Sequence, residues 1–112
     1  MIKVNVLGTE YTIEIVPPDQ DEIMKKGDCD GYTDKTSRKI VVSTMPESDL
    51  DDVRQYQKQV IRHELIHAFM NESGLQGSYE HCNKYGQEET MVDWIAIQFP
   101  KLLRAFEAAD CM

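Results

Sequence analysis

The order of patterns along this chain predicts an α+β fold. Apolar and polar residues alternate with period two only in the first forty-odd positions, and a helical period of 3.6 takes over after Asp49. Turn-forming residues separate the two halves. Strands first and helices later imply a mostly antiparallel sheet of three to four strands packed on a long helix, with further helices at the C-terminal end. A length of 112 residues accommodates one such core, so a single domain over 1–112 is expected.

Ile2/Val4/Val6 and Tyr11/Ile13/Ile15 alternate with polar neighbours on either side of Gly8-Thr9-Glu10, which reads as a β-hairpin. Pro17-Pro18 stop the second strand, and Asp19 to Lys26 suit a short helix ended by Gly27. Cys29 to Thr33 and Lys39 to Ser43 form a second pair around the turn Asp34-Lys35-Thr36-Ser37. Past Pro46, Ser48 followed by Asp51 resembles a capping box, with Asp49, Asp51 and Asp52 placed where a helix N-terminus favours negative charge. A long helix from about Asp49 to about Asn71 follows, stopped by Ser73-Gly74. After a polar stretch containing Gly77 and Gly86, a second helix is expected from about Gln87 to Gln98. Pro100 then opens a last helix, Lys101 to about Ala109, set at an angle to it.

Twelve basic against twenty acidic residues leave a net charge of −8, which repels phosphate and anionic lipid and argues against a nucleic-acid or membrane partner. The apolar fraction of 41% and charged fraction of 29% exclude wholesale disorder. No apolar run approaches the ~20 residues that span a bilayer, and the first residues lack the apolar stretch of a signal peptide. A cytoplasmic protein is expected. Cys29, Cys82 and Cys111 are odd in number and scattered, with no CxxC pair, and are read as reduced thiols.

The chemistry concentrates in the long helix, in His63-Glu64-Leu65-Ile66-His67. At ~100° per residue the two histidines of this H-E-x-x-H lie one turn apart, where their imidazoles can converge on one zinc ion. On a helical wheel the core arc holds Leu50, Val53, Val60, Ile61, Leu65 and Ala68; Glu64 falls inside it and the histidines at its border. A carboxylate on a buried face demands a reason. General-base catalysis on a metal-activated water supplies one, and an amphipathic helix with two partly exposed histidines does not.

Catalytic zinc usually takes three protein ligands. His81, Cys82, Glu88, Glu89 and Asp93 are the candidates for the third. Helical periodicity, with Val92, Ile95, Ala96 and Phe99 as the apolar stripe, does not separate Glu88 from Glu89. Asp93, one turn after Glu89 and on its side, favours Glu89 as ligand with Asp93 as its supporting carboxylate. A donor for a tetrahedral oxyanion would come from Tyr32, Tyr79, His81 or Tyr85; His81 and Tyr85 lead because their loop runs into the presumed ligand helix.

The motif His63-Glu64-Leu65-Ile66-His67, followed by Glu89-Thr90-Met91-Val92-Asp93, resembles the HExxH plus ExxxD pattern of gluzincin-type zinc metallopeptidases. In size and layout the chain is similar to the small ImmA/IrrE-like peptidases and to minimal HExxH proteins of phages and mobile elements. Gly31-Tyr32-Thr33 and Lys39-Ile40-Val41-Val42 before the motif helix, and Trp94-Ile95-Ala96 after it, are similar in character, so the resemblance spans about Gly31 to Phe99. It implies a zincin-like fold holding one zinc ion on His63, His67 and Glu89, with Glu64 as base and Asp93 behind the ligand. It also implies substrate docking by strand addition along the strand of Ile40. The residues after Glu89 are bulkier than the family's usual run, and no appended DNA-binding domain is expected.

The function expected is therefore zinc-dependent hydrolysis of a peptide or protein substrate, a regulatory protein among the candidates. Two other readings use the same residues: a catalytically silent zincin-fold binding module, and a metal-dependent hydrolase of a non-peptide bond. Against the silent module stands Glu64, for which binding alone has no use on a buried face.

Overall fold

Period-two alternation does build strands at both predicted pairs. A computed structural model describes residues 1–75 and 88–112, and for 88–90, 92, 93 and 96 it describes the backbone alone. The strands are β1 (Ile2–Val6), β2 (Thr9–Val16), β3 (Gly31–Asp34) and β4 (Lys39–Ser43), ordered β1-β2-β4-β3 in one sheet. Both predicted pairs are antiparallel, but β2 and β4 join them in parallel, so the sheet is mixed. The chain leaves β2 through a 3-10 turn (Pro18–Gln20) and helix α1 (Glu22–Gly27), runs out along β3, and returns to fill the slot beside β2.

The first turn falls at Leu7-Gly8, one residue earlier than the sequence suggests, with Val6 opposite Thr9. Both turn residues take positive φ, 51° and 95°, as a two-residue hairpin turn with the right twist requires. The Asn5 side chain accepts from the Gly8 amide at 2.7 Å and holds it there.

The motif helix α2 covers Val53–Ser73. It starts later than expected because the Ser48 hydroxyl accepts from the Leu50 amide, a local bond that competes with helix. Asp52 is the cap, accepting from the Gln55 amide at 3.1 Å, and Gly74 ends the helix in the left-handed conformation. Leu50 thereby falls outside the helix and is 49% exposed, against its expected place in the core arc. Val60, Ile61, Leu65, Ala68 and Phe69 bury against Val4, Val6, Tyr11, Ile13, Ile40 and Val42 of the sheet. These side chains come from one face of each strand, as period two demands.

The two C-terminal helices expected on either side of Pro100 are one helix, α3 (Glu88–Ala108), with Pro100 inside it. An interior proline costs a hydrogen bond and about 3 kcal/mol. Trp94 upstream and Leu102, Ala105 and Phe106 downstream pack into the same core, and that burial carries the helix through the proline. The inward stripe is accordingly not the predicted one. Ile95 and Phe99 are 47% and 49% exposed. The segment after α3 tucks back: Cys111 is buried, its thiol pushed up in pKa by that burial, and the Arg62 guanidinium on α2 donates to its carbonyl. Cys29 and Cys111 form no disulfide among the described residues; Cys82 lies outside them. Among the described residues no helix is long and apolar enough to cross a membrane.

Candidate metal centre

Seven positions of α2 are buried, and the histidines are not among them: His63 and His67 stand on the exposed flank of the face that Glu64 shares with Val60, Ile61 and Leu65. One turn of helix brings their Nε2 atoms to 3.1 Å, with the rings 4.8 Å apart and inclined at 73°. Two imidazole ligands at zinc–nitrogen distances of 2.0–2.1 Å and a tetrahedral angle would place their nitrogens ~3.3 Å apart. The pair therefore fits one shared metal ion.

Glu64 is 7% exposed, on the side of α2 that meets β3. The Thr33 hydroxyl lies 2.8 Å from Glu64 Oε1 and 3.0 Å from the Glu64 carbonyl oxygen, so its one proton serves an acceptor of that residue either way. Glu64 Oε2 has no protein partner among the described residues. Among the described residues, then, the carboxylate is held at one oxygen only. Thr33 is a site residue that the HExxH pattern does not reveal. Its signal is strand parity: Gly31 and Thr33 share the face of β3 turned to α2.

Gly31 makes that contact close. A Cβ there would sit 2.8 Å from Val60 Cγ1 and 3.1 Å from the Val41 carbonyl oxygen, so any larger residue lifts β3 off the helix. At its start β3 is tied to α2 again, by the Tyr56 hydroxyl donating to Asp30 at 2.9 Å.

Two hollows meet at Glu64. A groove of about 730 Å³ contains His67 and Asn71 on the α2 side and Ile23 and Tyr32 on the other. A smaller one of about 200 Å³ contains His63, Tyr56 and Asp30. The edge of β3 runs along both. Ser43 N donates to the Asp30 carbonyl at 2.8 Å, and this sets the phase of the antiparallel ladder. Asp30, Tyr32 and Asp34 bond to β4, whereas the backbone N–H and C=O of Gly31 and Thr33 turn outward. Among the described residues no strand pairs with that side of β3.

This corrects the strand implied by resemblance. Ile40 lies in β4, between β2 and β3, where both edges are already paired. Tyr32 also drops out as an oxyanion donor, because its hydroxyl donates to Asp21 at 2.7 Å on the face of β3 opposite Thr33. Burial and that bond push its phenol well above the ordinary range.

The other expected partners are not brought into view. Tyr79, His81, Cys82 and Tyr85 lie outside the described residues, as do the side chains of Glu88, Glu89 and Asp93. The backbone of Glu88 and Glu89 forms the first turn of α3, with Asp93 one turn on from Glu89. Among the described residues no third His, Cys, Asp or Glu joins the histidines in a metal-holding group. No family model, curated protein or solved structure matches the chain.

Proposed function

We propose that the chain is a small zinc-dependent peptidase with a zincin-like fold, His63, His67 and Glu89 holding one zinc ion. The observation that carries this reading is the 3.1 Å approach of the two Nε2 atoms beside a buried carboxylate that the Thr33 hydroxyl holds at one oxygen. A divalent ion there would acidify a water molecule and polarise a carbonyl. Glu64 takes the proton and returns it to the leaving amine, while the Thr33 hydroxyl keeps the carboxylate in one orientation. The outward backbone groups of Gly31 and Thr33 favour a peptide over other hydrolysable substrates. An extended chain can pair with them as an added strand and so lie across Glu64.

Zinc content measured by elemental analysis on protein purified without added metal tests the site. About one ion per chain is expected, with His63→Ala and His67→Ala each losing most of it. Full stoichiometric zinc in both variants would remove the motif as the site. Hydrolysis of casein, abolished by chelation and restored by zinc, tests the reaction. Bound zinc with no cleavage of casein or of random peptides would leave a metal-holding module instead.

A further inference from the structure

Helix α1 is only six residues long, a length that is marginal by itself. Here it is held at both faces. Asp21 Oδ1 accepts from the Ile23 and Met24 amides at 3.0 Å each, Asp21 Oδ2 accepts from the Tyr32 hydroxyl at 2.7 Å, and Met24 is 3% exposed. One carboxylate thus caps the helix and fastens it to β3. Between these anchors Ile23 is 48% exposed and forms part of the groove that also contains Glu64 and His67. Scattered exposed apolar residues are ordinary. This one differs in being fixed rigidly at the wall of the candidate site, on the side of β3 that α2 does not cover.

We infer that Ile23 is a specificity-determining residue that selects a branched apolar side chain in a bound extended peptide, an inference that rests on the peptidase reading. A strand added to the β3 edge sends successive side chains to opposite faces. One set turns toward α2, Glu64 and the histidines. The alternate set turns toward Ile23 and the Tyr32 ring, where an aliphatic or aromatic side chain leaves water. The preferred substrates are extended segments carrying Leu, Ile, Val or Phe at that alternate position.

The test uses the zinc-loaded Glu64→Gln chain, which keeps the groove without turnover, and a randomised library of terminally blocked octapeptides. Retained peptides are sequenced, and amide exchange at Gly31 and Thr33 is followed by NMR. The expected result is slowed exchange at both amides and about tenfold enrichment of branched apolar residues at one alternate position. Adding Ile23→Lys should replace that preference with Asp or Glu, and Ile23→Ala should weaken it. The half-exposed position lets both variants fold, which thermal unfolding checks. Retention and slowed exchange with a preference that ignores Ile23 would overturn this inference alone. No retention and no slowing would overturn it together with peptide docking at β3.

Discussion

Two carboxylates on α2, eight residues apart, are both met by hydroxyls from the sheet, and the described residues satisfy them unequally. Glu72 accepts from Tyr11 at 2.7 Å on Oε1 and from Thr9 at 3.1 Å on Oε2, so both oxygens are engaged. Glu64 accepts from Thr33 on Oε1, and Oε2 has no partner among the described residues. Glu72 stands beyond the histidines at the end of the helix; Glu64 stands between them. A hydroxyl tie from strand to helix is therefore not in itself a mark of function. Under the proposed reading, the nearby histidine pair and an oxygen with no partner among the described residues separate Glu64, the base, from Glu72, which fastens two elements together.

The sharpest way to break this comparison is to neutralise both. Glu64→Gln should lower peptide hydrolysis by at least ~10²-fold while zinc content and thermal unfolding stay near the parent, whereas Glu72→Gln should leave turnover within about threefold. Equal loss in the two variants, measured on one peptide substrate, would put Glu64 in the same structural class as Glu72. Next in size is the ligand assignment. Glu89→Ala should cost most of the zinc affinity, Asp93→Asn ~10 to 100-fold and Glu88→Ala little, as read by competition with a chelating dye. The reverse order for the two glutamates would move the ligand to Glu88.

A smaller effect sharpens the structural half. Tyr11 is fully buried, and burial together with its bond to Glu72 raises its phenol well above the ordinary range. Glu72→Ala leaves that hydroxyl without its acceptor and should cost ~1–3 kcal/mol in denaturant unfolding. The least effect is expected at the β3–β4 turn, where donors from Thr36 and Ser37 hold the Asp34 carboxyl down to about 2. Its folded value lies below the unfolded one of about 3.9, so its contribution is present above pH ~4 and is lost as pH falls toward 2. Asp34→Asn should flatten that part of the stability curve, followed by urea unfolding between pH 5 and pH 2.

The motif helix was legible because it carries a single apolar face. Val60, Ile61, Leu65 and Ala68 leave one choice of inward side, and Glu64 follows onto it by period alone, as its 7% exposure bears out. α3 was less legible because it has two apolar stripes. The one containing Ile95 and Phe99 satisfies the wheel as well as the stripe of Trp94, Leu102, Ala105 and Phe106, and only packing distinguishes them. Pro100 added a second error of the same kind, since a local rule ends the helix there and burial on both sides overrides it.

The amino-acid sequence by itself determined the strand pairs, the motif helix with its Gly74 stop, the convergence of His63 and His67, and the burial of Glu64. Each of these depends on residues a few positions apart, where chirality, helical rise and pleat set the geometry. Tertiary structure alone decided that β4 fills the slot beside β2 and leaves β3 at the edge, that Thr33 rather than a neighbour steadies Glu64, and that α1 holds Ile23 against the groove. Those outcomes join residues as much as 31 positions apart, and the free energy that selects among them comes from area buried and polar groups paired across the whole core, which no local pattern encodes.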